Sequence, residues 1–148
     1  MAMAAEAGLS VRLRSGGARA GPAQVSILDT IGELPTAYRL ATLVFVGGSF
    51  VRRGGQNVLE PAGQGRPVLF GPHMENFKDS VQVLQGRGGL QVATPDQLLK
   101  VADELLSRPD QLEELGVLAR RSVTAIRGAS ARNVEHMLSI LPRGKAAA

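Results

Sequence analysis

An apolar run, Leu43-Val44-Phe45-Val46, closes on Gly47-Gly48-Ser49 and is followed by Gly54-Gly55-Gln56-Asn57-Val58-Leu59-Glu60-Pro61. No other stretch constrains the fold as tightly. A short apolar run without alternation reads as a strand covered on both faces, the signature of a parallel strand under helices. Glycines directly after it, then an amide and a carboxylate at a helix start, place a turn at the carboxyl end of that strand. In open α/β sheets ligands bind there, because bare backbone N–H groups and a helix N-terminus face one crevice. A nucleotide site is the expectation.

The rest of the chain repeats the pattern. Residues 9–14 alternate apolar and polar with period two and predict a flanking strand, followed by a glycine-rich loop over 15–22. Residues 25–28 predict a second strand ending at Asp29-Thr30, and Gly32 opens a helix through Leu40. After the strand at 43–46, a helix follows Asn57 and stops at Gly63 and Gly65; a strand over 68–70 closes on Gly71-Pro72. A helix over 77–84, a strand over 90–92 and a helix with Pro95 at its first position come next, the last carrying Leu98, Ala102, Leu105 and Leu106 on one face. Pro109-Asp110 breaks it, and a final helical stretch runs to Leu141 with an interruption near Gly128. Strands alternating with helices imply βαβ crossovers and a mostly parallel, Rossmann-like α/β sheet in one domain over residues 1–148.

Composition narrows the function. A chain of 148 residues buries roughly 70% of its unfolded surface, enough for a core. With 3% aromatic residues it has no stacking platform for single strands, and no nucleic-acid partner is expected. It has no cysteine, and its two histidines, His73 and His136, lie far apart, so no metal site is expected. No window reaches the length of a spanning helix, and the first residues lack the basic and apolar regions of a signal peptide, so a soluble chain is expected. The net charge of +4 comes from 17 Lys+Arg, mostly arginine, whose planar fork suits phosphate. The plainer reading of that excess is a solvated basic face.

Four blocks together carry a resemblance: Asp29-Thr30-Ile31-Gly32-Glu33-Leu34; Phe45-Val46-Gly47-Gly48-Ser49; Arg53-Gly54-Gly55-Gln56-Asn57-Val58-Leu59-Glu60-Pro61-Ala62; and Pro67-Val68-Leu69 with Gly71-Pro72-His73 and Asn76-Phe77. In this order and spacing they resemble the second half of the 3-deoxy-D-manno-octulosonic acid (Kdo) transferases, over about residues 9–141. The resemblance implies the GT-B architecture, with the nucleotide sugar CMP-Kdo held by the C-terminal domain and Kdo passed to the lipid A precursor by an inverting transfer. It further implies that the full-length protein works on the membrane surface at the cytoplasmic face of the bacterial inner membrane. On this resemblance the family's acceptor domain with its glutamate base, its membrane-anchoring segment and the first strands of its C-terminal domain are expected to lie outside residues 1–148. Residues 1–148 are therefore expected to be part of the donor-binding domain, inactive alone, with no catalytic residue, metal or cofactor. Absence of an Asp-x-Asp pair agrees with metal-free departure of CMP.

Asn57 and Glu60 have the spacing of a capping box, in which both side chains satisfy backbone N–H groups. Pro61 favours a first helical position, which moves Glu60 to the cap, where glutamate serves poorly and its carboxylate stays free for a ribose diol. The resemblance implies the same: Glu60 on the ribose and Asn57 near the phosphate. Gly48 and Gly55, with Gly47 and Gly54, permit close backbone approach or simply make tight turns. Ser49 offers the phosphate a hydroxyl and Arg53 a charge, while Arg52 faces solvent. Ile31, Gly32 and Glu33 match the block whose backbone reads cytosine; the same residues also read as a helix start with Glu33 in its first turn. His73 and Asn76 lie in the loop after the strand at 68–70, with roles left open. Gln56 stands where many of the family have histidine, which keeps a donor but removes a titratable proton. The alternative is another GT-B glycosyltransferase, or an epimerase, using a UDP- or GDP-sugar, against which the blocks around His73 and Asn76 argue. A noncatalytic nucleotide-binding or nucleic-acid-binding module, suggested only by the basic charge and the glycines, is the other rival.

Overall fold

Parallel strand pairing organises the chain. The computed structural model describes residues 2–19 and 22–140 and divides into two compact units, Met1–Ala37 and Tyr38–Ala148.

The first unit holds α1 (Ala2–Glu6), β1 (Val11–Leu13), a 3-10 turn (Arg14–Arg19) where a glycine-rich loop was expected, and β2 (Val25–Ile27). The two strands pair in parallel with Val11 opposite Val25 and Leu13 opposite Ile27. Period two holds along both: the four aliphatic residues are half-buried, while Arg12 and Ser26 are exposed and joined by an Nε–Oγ bond of 2.7 Å. Asp29 ties the strand ends together by accepting the Ser15 N–H at 2.9 Å and the Ser15 hydroxyl. Those bonds hold its carboxyl below the usual range, the Ser15 hydroxyl contributing most. The helix expected from Gly32 begins later, as α2 (Leu34–Leu40), because Gly32 sits at φ +85°, outside helical space.

The second unit contains β3 (Val44–Val46), α3 (Leu59–Gly63), β4 (Val68–Phe70), a 3-10 turn (Glu75–Phe77) leading into α4 (Lys78–Leu84), β5 (Gly89–Gln91), α5 (Pro95–Leu106) and α6 (Pro109–Ile140). Its three strands lie in the order β3-β4-β5, all parallel. The central strand shows why: Val68, Leu69 and Phe70 are all fully buried. Val68 and Phe70 join a cluster with Val58, Ala62, Leu84, Ala119 and Val123, contributed by the start of α3, α4 and α6. Leu69 points the other way, to Leu105 and Leu112 of α5 and α6. One strand thus anchors helices on both faces, the layering of a parallel α/β domain.

Three expectations need correction. β3 is covered on one face only: Val46 is buried, but Phe45 is 39% exposed and stacks on Phe50 with ring centroids 5.3 Å apart. It lies at the edge of this sheet, and its apolar run marks strand character rather than two-sided burial. On α5 the inward residues are Leu98, Val101, Ala102 and Leu105, while Leu106 is 56% exposed, one helical step of about 100° past that stripe. α6 continues through Gly128 without a break as far as Ile140. A single glycine costs about 1 kcal/mol in a helix, too little to end one of this length; Leu141 lies outside the described residues. The start of α5 is as expected: Thr94 Oγ1 accepts the Gln97 N–H at 3.2 Å, and Gln97 Oε1 accepts the Ala93 N–H at 2.7 Å.

Candidate functional site

The carboxyl ends of β3 and β4 are joined by one buried hydroxyl. Ser49 is fully buried, donates to the Val46 carbonyl at 2.6 Å and accepts the Gly71 N–H at 2.8 Å. Its own carbonyl accepts the His73 N–H at 2.9 Å. The side chain expected near a phosphate is therefore a tie between two strand ends, since its one proton is spent inward. Only the burial reveals this; a serine after two glycines carries no such signal in sequence.

The loop after β3 is packed onto the loop after β4. Gly54 and Gly55 adopt φ of +79° and +73°. A Cβ on Gly55 would come within 2.3 Å of the Met74 sulfur, and one on Gly54 within 2.2 Å of the Asn76 amide nitrogen. The Asn76 N–H also donates to the Gly54 carbonyl at 3.3 Å. These two glycines thus serve loop-to-loop contact. Gly48 differs: it is exposed at φ +72°, with nothing near the position of a Cβ, and its turn faces open space.

Asn57 and Glu60 sit where this loop enters α3. Asn57 Oδ1 accepts the Leu59 N–H at 2.9 Å, and its Nδ2 donates to Glu60 Oε1 at 3.0 Å. The helix starts at Leu59, so Glu60 and Pro61 occupy its second and third positions rather than cap and first. Proline is tolerated there because first-turn N–H groups lack intrahelical partners anyway. Both sides of the capping question are thereby answered. Asn57 does the local structural work, while Glu60 caps no backbone group among the described residues and is exposed, its carboxylate oriented by the Asn57 amide. Tyr38 was not foreseen. It is half-buried in the same unit, its phenol is pushed up by burial, and the Glu60 carboxylate adds to the shift. Arg52, Arg53 and Gln56 are exposed on the same loop.

His73 is half-buried and held at two points, through its N–H on Ser49 and through Nδ1, which lies 3.0 Å from Glu75 Oε1. The His73 bond is the main reason the Glu75 carboxyl lies below its ordinary range, with Lys78 adding a smaller charge effect. The structure therefore brings Gly48, Ser49, Arg53, Gly55 and Asn57 onto the loop after β3 and Glu60 into the first turn of the helix that loop enters, and packs the loop against the segment carrying His73 and Asn76.

In the first unit, Ile31 is fully exposed and Gly32 is exposed. Glu33 precedes the first residue of α2 instead of lying in its first turn, and its carbonyl accepts the N–H groups of Thr36 and Ala37 at 3.0 Å each. Its carboxylate takes the Thr30 hydroxyl and an Arg14 Nη2 bond of 2.9 Å, which together hold it below the usual range, Thr30 contributing more. With that side chain committed, backbone groups are what this turn offers a ligand.

Over 132 residues, 87% of this chain, the sequence is 36% identical to the 3-deoxy-D-manno-octulosonic acid transferase of Bordetella pertussis, and over 122 residues, 81% of this chain, 35% identical to that of Haemophilus influenzae. The chain is homologous to part of the Kdo transferases. It spans 31% and 29% of the length of those two relatives. Among solved structures it is similar to the C-terminal CMP-Kdo binding domain of WaaA from Acinetobacter baumannii, with a TM-score of 0.74 and 29% identity over 82% of this chain and 65% of that one. No family model matches the chain. The Kdo transferase likeness and the parallel α/β layering agree on the fold. Among the described residues no helix is long and apolar enough to cross a membrane.

Proposed function

We propose that this chain is the CMP-Kdo-binding portion of a Kdo transferase, a partial C-terminal donor domain of GT-B type. The carrying observation is the likeness, at a TM-score of 0.74, to a domain named for binding CMP-Kdo. The geometry supports it locally: at the carboxyl end of β3 an exposed carboxylate, Glu60, is oriented by Asn57 and caps nothing. A carboxylate so placed accepts hydrogen bonds from a ribose diol. Asn57 keeps one amide proton, and Arg53 a whole guanidinium, for the phosphate. Gly48 and Gly55 shape the loop. Ser49 contributes through the loop's position, not its hydroxyl. A separate assignment concerns the first unit, where main-chain groups at Ile31, Gly32 and Glu33 read the base.

The reaction served is transfer of Kdo, which the name the relatives share supports; the acceptor we assign to it is the lipid A precursor at the cytoplasmic face of the inner membrane, as the family resemblance implies. This chain's residues bind and orient the donor, and arginine with backbone N–H groups stabilises the departing phosphate without a metal. Glu60→Gln tests the reading. Losing a charge-assisted hydrogen bond costs about 1.5–3 kcal/mol of CMP affinity. Unchanged affinity with a large fall in melting temperature would show Glu60 to be purely structural. Preference for UMP or GMP over CMP would move the chain to a UDP- or GDP-sugar enzyme.

A further inference from the structure

At the amino end of β4, the opposite end of the strand from the loops described above, lies an open cleft of about 470 Å³. The turn between α3 and β4 forms one wall and the first half of α6 the other. The walls meet at two glycines: a Cβ on Gly116 would come within 2.3 Å of the Gly65 carbonyl oxygen, so the helix lies directly on the turn.

The titratable groups of the lining are two guanidinium groups, Arg66 and Arg120, and one carboxylate, Glu113. Among the described residues none of the three forms an ion pair. Glu113 therefore offsets one positive charge at a distance and touches neither arginine, and one positive charge is left over. The arginines share one corner of the cleft, because the Arg120 stem runs beside Gly65, with its Cδ 3.8 Å from the position of a Cβ there, and Arg66 is the next residue. Arg66 is also incompletely solvated. Its Nη2 donates to the Arg39 carbonyl, but its Nε is closed off from water and is the one buried side-chain polar atom without a partner among the described residues. A charge held this way is short of negative neighbours, and an anion in the cleft supplies what neither water nor the protein does. Away from this corner the rim is apolar, with Pro109 and Val117 exposed on it. A bare phosphate would bring more charge than the single excess and leave that rim uncovered.

We propose that this cleft binds a monoanion with an apolar body, a carboxylate in class, whose charge lies between Arg66 and Arg120 and whose apolar part lies on Pro109 and Val117. The planar fork of arginine suits a carboxylate in this role. The site does not depend on the CMP-Kdo reading, since it lies at the other end of β4 and shares no residue with the loop that carries Asn57 or with the turn that carries Ile31.

Benzoate, with benzamide as its uncharged counterpart, probes the site on the 148-residue chain. The Nε–H signals of the arginines are followed by NMR at constant ionic strength, with and without CMP. Arg66 and Arg120 shift with benzoate at a dissociation constant on the order of 1 mM, what two charge-assisted bonds supply. Arg121, exposed on the next position of α6, does not shift, and benzamide acts at least about tenfold more weakly. Arg120→Met keeps the stem over Gly65 and weakens benzoate about tenfold. Because Arg120 is exposed, that variant keeps its fold even where Arg66→Met, which loses the bond to Arg39, does not. Arg66 and Arg120 signals indifferent to benzoate, an equal response to benzamide, or an equal shift of Arg121 would overturn the site. A benzoate response that is the same with and without CMP supports it, whether or not the chain binds the nucleotide.

Discussion

Replacing Ser49 by alanine separates two roles that sequence leaves superimposed. The hydroxyl donates to Val46 at 2.6 Å and accepts from Gly71 at 2.8 Å, and all three residues are buried. Alanine removes both bonds and strands the Gly71 N–H without water to replace its acceptor. A buried hydrogen bond contributes about 1 kcal/mol net, and an orphaned buried donor costs about 1–3 kcal/mol. The variant should therefore lose about 2–3 kcal/mol, or roughly 10 °C in melting temperature for a unit of this size. Urea denaturation followed by circular dichroism reads the free energy, and calorimetry at a temperature where both proteins are folded reads CMP affinity. The expected result is a stability loss with CMP affinity per folded molecule changed by less than about threefold. A stable Ser49→Ala protein with sharply weakened CMP binding would refute the reasoning and return the hydroxyl to the phosphate.

Other consequences are as direct. Gly55→Ala puts a Cβ at positive φ and within 2.3 Å of the Met74 sulfur, so it should destabilise by about 1–3 kcal/mol; a loss below about 0.5 kcal/mol would mean the two loops are not packed as described. Folded-state carboxyls of Asp29 and Glu33 lie below their ordinary values. Their contributions are present above the unfolded pKa, near pH 4, and are lost as pH falls through the folded values. Amide exchange at Ser15, whose N–H rests on Asp29, should therefore quicken beyond its intrinsic rate as Asp29 becomes protonated, at a pH below the ordinary carboxyl value. Protection at Ser15 that is unchanged while Asp29 titrates, followed in the same samples by carboxyl NMR, would contradict the bond.

What the sequence disclosed depended on whether a signal was local. Strand 68–70 with its closing Gly71-Pro72, and the helix capped by Thr94, are each written in a handful of adjacent residues, and both are found where the patterns put them. Phe45 misled because an apolar run is the same string of letters at a sheet edge and at its centre; which one it is depends on neighbours contributed from elsewhere. Gly128 misled because helix propensity is a small term beside the packing and length of α6. In the site, the N-x-x-E spacing drew attention to Asn57 and Glu60, but reading Pro61 as the first helical residue put the helix start two residues late, since proline is compatible with more than one position in a first turn. Ser49 and Tyr38 were illegible for one reason: the burial of Ser49 and the nearness of Tyr38 to Glu60 are set by chain segments remote in sequence. His73 was visible as a residue, but its partner Glu75 was not, because a two-residue spacing in a loop carries no fixed geometry.

Calorimetric titration of the chain with CMP and UMP tests the central claim most directly. A site that reads the cytosine amino group through backbone carbonyls leaves an acceptor unpaired with uracil, at a cost of about 1–3 kcal/mol. The account predicts CMP bound about tenfold or more tightly than UMP. Equal affinities for the two, or no binding of either, would contradict it.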